Sequence, residues 1–159
     1  MKVGSRIPST PVQQLIDGEI KQINLADFSQ DRTILVVAMP GAFTPTCADD
    51  HVPGYLRNAD RFFAKGLDEI VVLATSDFFV VKAWADGLNP PEHVHFMADG
   101  SQLFAKAADQ LLDLTELGLG MRTQRYAAVV RSGKVMNFAV EPDATAVTVS
   151  GADAVLDAL

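Results

Sequence analysis

Two uninterrupted apolar runs set the strongest limit on how this chain can fold. Residues 33–39 (Thr-Ile-Leu-Val-Val-Ala-Met) and 69–75 (Glu-Ile-Val-Val-Leu-Ala-Thr) have strand length and show no polar alternation. A strand wetted on one side alternates apolar with polar residues, whereas one covered on both sides does not. Each run therefore predicts an interior strand of a sheet with both faces buried. A helical pattern follows each. Leu56, Ala59, Phe62 and Phe63 share one face of a helix over 55–65, and Ser76-Asp77 offers an N-cap to a helix over 78–87 that carries Val81 and Trp84. Strands alternating with helices predict an α/β domain with a mixed central sheet flanked by helices.

The remaining segments fit around that centre. Val12-Gln-Gln-Leu-Ile and Ile20-Lys-Gln-Ile-Asn-Leu flank Asp17-Gly18, a tight-turn dipeptide, and predict an N-terminal β-hairpin. Residues 24–28 read as a connector, 94–98 as a third strand and 102–110 as a helix. A Leu-rich stretch then ends at Gly118-Leu-Gly, which lacks the spacing of a dinucleotide-binding loop and reads as a turn. Residues 125–130 and 134–140 predict a second hairpin across Ser132-Gly133, and 151–159 a closing helix. With no repeat or linker, residues 1–159 read as one domain.

The first buried strand hands over to Met39-Pro-Gly-Ala-Phe-Thr-Pro-Thr-Cys47, which holds the only cysteine of the chain. Cys47 to His51 suit one or two helical turns, with Pro53-Gly54 expected to kink or interrupt them. A thiol at a strand-to-helix junction has two readings. It is a buried structural cysteine, or it is a reactive thiolate favoured by helix N–H groups and by a distant arginine brought near in the fold. Thr44, three residues earlier, carries a hydroxyl able to donate and accept, and Pro40 and Pro45 stiffen the loop.

Other polar residues point to rival chemistries. His51, four residues after Cys47, is placed to serve as the general base of a cysteine hydrolase, against a packing role beside Pro53. His93 and His95 flank Val94 and would share one strand face, but no acidic or cysteine cluster accompanies them as metal ligands. One cysteine excludes an intrachain disulfide and a Cys-rich zinc or iron–sulfur site. A net charge of −7 with no basic stripe argues against nucleic acid. No apolar run approaches the ~20 residues of a membrane span. The N-terminal residues show no signal-peptide core, so a soluble cytoplasmic protein is expected.

The loop Pro40-Gly-Ala-Phe-Thr-Pro-Thr-Cys47, with His51-Val-Pro-Gly-Tyr55 after it, resembles the peroxiredoxins of the Prx5 group (type II). It contains the Pro-x-x-x-Thr-x-x-Cys pattern as Pro40, Thr44 and Cys47. The segments 76–84, 96–100, 118–126 and 137–141 resemble further stretches of that family, in order along nearly the whole chain. The resemblance implies a thioredoxin-like fold and a thiol peroxidase acting on hydrogen peroxide and alkyl hydroperoxides, with no cofactor. It matches Cys47 to the peroxidatic cysteine, Thr44 to the hydroxyl that engages thiolate and peroxide, Pro40 to a shield over the pocket, and Arg125 to the arginine that holds thiolate and peroxide oxygens. Arg122 is a second basic group nearby. It also implies a homodimer through loops around the site, for which Phe43, Phe78 and Phe79 are candidate contacts.

Departures from the family pattern bear on the second half of the cycle. Some members carry a resolving cysteine where this chain has Thr148-Val-Ser150, and others are proposed to use one where it has Val71-Val-Leu73. A Cys47 sulfenic acid must therefore be reduced by an external thiol or by Cys47 of another subunit. Glutathione, with or without glutaredoxin, is the first expectation and a thioredoxin the second. Ser76 replaces a usual Asn, and Phe78 stands where Pro is frequent. A peroxide sensor with little turnover is the remaining alternative.

Overall fold

The computed structural model describes residues 1–159. Strands β1 (Val12–Ile16) and β2 (Glu19–Ile23) form the N-terminal hairpin. Asp17 and Gly18 both take positive φ (50° and 78°), the geometry a two-residue turn needs to match strand twist. The centre is made by β3 (Thr33–Met39), β4 (Glu69–Ala74) and β5 (Val94–Ala98), which run parallel and adjacent. Helix α2 (Val52–Ala64) joins the first two strands and α3 (Phe78–Leu88) the next two. β8 (Tyr126–Arg131) pairs antiparallel with β3, and β9 (Lys134–Val140) closes the far edge. The resulting seven-stranded sheet, ordered β2-β1-β5-β4-β3-β8-β9, is the mixed sheet of a thioredoxin-like fold.

Burial explains the unalternating strands. Leu35, Val37, Met39, Val72 and Ala74 face a core filled by Tyr55, Ala59 and Phe62 of α2, Val81 and Trp84 of α3, and Val155 and Leu156 of α5 (Ala152–Asp157). Their neighbours Ile34, Val36, Ala38, Val71 and Leu73 face a second core with Ile7, Leu25, Phe104 and Tyr126. Because successive strand residues point to opposite faces, a sheet covered on both sides needs apolar residues at every position.

Several boundaries differ from the sequence expectation. Residues 24–28 are not a plain connector: Asn24 caps a one-turn helix α1 (Leu25–Phe28) by accepting from the N–H of Ala26. Pro53-Gly54 do not interrupt the helix after Cys47. Cys47–His51 form a π-helical turn that runs straight into α2, with Val52 N–H donating to Cys47 O. Pro53 sits in the first turn of α2, directly after the wider π turn. The helix predicted over 102–110 is shorter, α4 (Leu103–Ala107), and the closing helix also ends sooner. The Leu-rich stretch pairs as β6 (Leu111–Leu114) with β7 (Gly120–Thr123), a separate two-stranded arm. Gly118 and Gly120 turn it at positive φ.

Candidate active site

The register of the sheet assembles the site. Ala38 pairs with Tyr126, so the residue before β8, Arg125, lies beside the loop that leaves β3. Met39 pairs with Ala74, which brings Thr75 and Ser76 to the same edge. Residues 78 apart in sequence thereby meet: Arg125 Nη2 donates to Cys47 Sγ at 3.1 Å. Cys47 is fully buried and Arg125 is 2% exposed. In such a setting the guanidinium acts on the sulfur with little solvent screening.

The loop between β3 and Cys47 is pinned at its start. Thr75 Oγ1 donates to Pro40 O (2.6 Å), and Arg122 Nη1 donates to Pro40 O (3.1 Å) and to Thr75 O (3.0 Å). Arg122 Nε donates to Leu119 O (2.8 Å), which ties the β6–β7 arm to the loop. Ser76 Oγ accepts from Ala42 N–H (3.1 Å), so the serine that departs from the family pattern serves as a loop anchor. A Cβ on Gly41 would stand 3.0 Å from Arg122 Nη1 and 3.2 Å from Thr44 Cγ2. Glycine is what lets the arginine approach the backbone. Phe43, two residues on, takes φ +61°, a left-handed conformation unusual for a bulky residue.

Arg125 is held from three sides: Nε donates to Ala144 O (2.9 Å), Nη1 to His51 Nδ1 (3.0 Å) and Nη2 to Cys47. The segment that carries Ala144 is folded by Glu141. Its carboxylate accepts from Thr148 N (2.6 Å), Thr148 Oγ1 (2.5 Å), Ser150 N (2.9 Å) and Ser150 Oγ (2.8 Å). Burial alone would raise the Glu141 carboxyl, but the hydrogen bonds from Thr148 and Ser150 outweigh it and hold the group below its ordinary value. His51, 1% exposed, is lowered from 6.5 to about 4, first by burial and then by the charge of Arg125.

Pro40, Thr44 and Arg125 line a cavity of about 170 Å³ together with Leu114, Leu117 and Leu119. All four residues singled out from the sequence thus lie together, three on the cavity and Cys47 on Arg125. Thr44 Oγ1 donates to Gly41 O (2.9 Å), and a turn about its Cβ–Oγ1 bond would redirect that proton. Arg122 is spent on the carbonyls of Pro40, Thr75 and Leu119 and not on the thiol. His51 faces Arg125 and Ser150, with no hydrogen bond to Cys47. His93 and His95 turn to the same side, where both rings hydrogen-bond the Glu69 carboxylate, although His93 itself precedes β5 at φ +69°. The sequence suggested no site role for Thr75, Glu141, Ala144 or Ser150: Glu141 only closes a family-like segment, and Ser150 stands only where some members carry a resolving cysteine.

A lone buried thiol under an arginine, at the end of a central strand of this sheet, belongs to the chemistry of thiol-dependent oxidoreductases. Comparison with known proteins narrows the class. The Redoxin family model matches residues 2–156. Peroxiredoxin-2C of Oryza sativa subsp. japonica is 39% identical over 145 residues, covering 90% of this chain and 89% of the relative. The Schizosaccharomyces pombe protein named peroxisomal membrane associated protein 20 is 40% identical over 159 residues, covering 99% and 98%. Among solved structures, reduced Prx3 of Vibrio vulnificus in complex with H2O2 superposes with a TM-score of 0.93 at 34% identity, covering 99% and 98%. The chain belongs to the Redoxin family and, within it, to the peroxiredoxins of the Prx5 type, which are thiol peroxidases. No helix is long and apolar enough to cross a membrane.

Proposed function

We propose that this peroxiredoxin reduces hydrogen peroxide and alkyl hydroperoxides through Cys47, with an external thiol completing each cycle. The observation that carries the reading is the 3.1 Å contact between Arg125 and the only thiol of the chain. The thiolate attacks the terminal oxygen of ROOH. The S–O bond forms as the O–O bond breaks, and RO⁻ leaves and takes up a proton to give ROH. Negative charge moves onto the leaving oxygen, where preplaced donors lower the barrier. Arg125 supplies them, and Thr44 does so once its proton turns from Gly41. Pro40 covers the loop side of the cavity without adding an N–H of its own. The Leu114/Leu117/Leu119 wall suits the apolar tail of an alkyl hydroperoxide.

The chain has no second cysteine, so the sulfenic acid is resolved from outside. One thiol condenses with it to a mixed disulfide and water, and a second releases Cys47. Glutathione, alone or through a glutaredoxin, is the reductant this reading favours over thioredoxin, and the cytoplasm, where such thiols are kept reduced, is its compartment. Cys47 is fully buried, so the turn that carries it must open before a thiol reaches the sulfur. Phe43 (59% exposed) and Phe79 (64% exposed) project beside the site as contacts for a second copy, while Phe78 packs partly on its own core.

One equivalent of peroxide followed by dimedone should give a rapid adduct on Cys47 by mass spectrometry. Its absence would sink the peroxidase reading. Steady-state turnover should be sustained by glutathione with glutaredoxin, and turnover with thioredoxin alone would overturn the choice of reductant.

A further inference from the structure

We infer that His51 is a positioning residue for the peroxidatic centre: as a neutral imidazole it accepts a hydrogen bond from Arg125 and turns the guanidinium onto Cys47 without cancelling its charge. The inference rests on the peroxidase reading of Cys47 and Arg125. It starts from donor counting. Arginine has five N–H groups and no acceptor. Three are committed, Nε–H to Ala144 O, one Nη1–H to His51 Nδ1 and one Nη2–H to Cys47 Sγ. The two left over, one on each terminal nitrogen, are available to a peroxide. The anchors at Ala144 and His51 fix the plane in which those donors lie.

The same bookkeeping assigns the tautomer. Nδ1 accepts a hydrogen bond from Arg125, so it carries no proton itself. Nε2 then holds the ring proton, and its surroundings accept it. Ser150 O lies 3.0 Å away, and Ser150 Oγ, whose own proton goes to Glu141 Oε1, lies at 3.2 Å. Tyr55 O–H also donates to Ser150 O, which leaves that carbonyl fully used. The titratable groups facing the ring are thus Arg125, Tyr55 and, through Ser150, Glu141. Burial and Arg125 keep the imidazole neutral down to about pH 4. Both ring nitrogens are occupied, so His51 is not available as a base for Cys47.

A neutral acceptor has a chemical advantage over a carboxylate at this position. An aspartate would anchor Arg125 equally well but would offset the positive charge that holds the thiolate and the leaving oxygen. Here the carboxylate of Glu141 stands beyond Ser150, out of contact with the arginine, and orders the segment instead.

Three substitutions separate this role from a structural one, each read by the rate of Cys47 oxidation under single turnover from pH 5 to 9, alongside thermal unfolding. His51→Leu removes the acceptor and should slow oxidation by roughly 10–100-fold, the loss typical of a misplaced catalytic group. His51→Asn places Oδ1 where Nδ1 was and should recover most of what Leu loses. His51→Asp, the same shape with a charge, should stay slow and move the acid limb of the profile to higher pH. Equal rates for Asn and Asp, or a Leu variant as fast as wild type, would overturn the inference. If no variant folds, 15N–1H spectra of histidine-labelled wild type decide: Nε2–H with a bare Nδ1 from pH 5 to 8 supports it, and a proton on Nδ1 overturns it. Wild type lacking any Cys47 oxidation would instead defeat the peroxidase reading itself.

Discussion

Arg125→Ala should lower kcat/KM for peroxide by roughly 10²–10³-fold, the scale seen when one preorganised donor is removed from a developing oxyanion. Its guanidinium bonds the sulfur directly, at 3.1 Å. Removing it takes away the charge bonded to the sulfur and the donors poised for the leaving oxygen. Rapid-mixing measurement of Cys47 oxidation across pH should show a slower plateau and an acid limb moved to higher pH. An unchanged profile would refute the role. Arg125→Lys should fall between the two, because an ammonium cannot reach Ala144 O, His51 Nδ1 and Cys47 Sγ together as a planar fork does.

The second large effect lies away from the thiol. Glu141→Ala should destabilise the fold by about 3–5 kcal/mol, because it strands the N–H groups of Thr148 and Ser150, each lost partner costing about 1–3 kcal/mol. Against a typical net stability of about 5–15 kcal/mol this is a large fraction. Peroxide reactivity should fall too, since the segment that Glu141 folds carries both Ala144 O and Ser150. Denaturant titration of wild type and variant at pH 7.5 measures the first effect. A midpoint shift smaller than about 1 kcal/mol would mean that the segment holds itself without the carboxylate.

The same network makes the protein acid-sensitive. The Glu141 carboxyl is depressed in the folded state, so its stabilisation is present above the unfolded value and is lost as pH falls through the lowered folded one. His51 works in the same direction at milder pH. The unfolded imidazole takes a proton near 6.5 and the folded one only near 4, so stability declines between those values. The drop from His51 amounts to about 3 kcal/mol. Replacing His51 by Asn should flatten the decline between pH 6.5 and 4.5 in the same titrations, and an unaltered slope would contradict the lowered value.

Much of this was legible without coordinates. The apolar runs ending at Met39 and near Ala74, the Asp17-Gly18 and Ser132-Gly133 turns and the Asp77 cap are local signals, and the folded chain agrees with them because propensity and burial point the same way. The β6–β7 arm was missed. Its Leu residues follow neither a clean two-residue nor a 3.6-residue period, and its two strands pair only with each other. The turn at Cys47 was misjudged because Pro53 reads as a breaker, whereas one wide π turn lets it sit in the first turn of α2.

The site divides along the same line. Pro40, Thr44 and Cys47 are neighbours in the chain, so their spacing alone determined that a thiol, a hydroxyl and a stiff loop share one corner at the end of a buried strand. Arg125 was legible only by family likeness. Its contact with Cys47 arises from the antiparallel pairing of β3 with β8, a long-range register that no local pattern encodes. Only the tertiary structure decided that Arg122 clamps the loop while Arg125 meets the sulfur, and that His51 serves the arginine rather than the cysteine. Those roles depend on which carbonyls, rings and carboxylates surround a side chain once water is excluded, and that company is set by packing between segments distant in sequence.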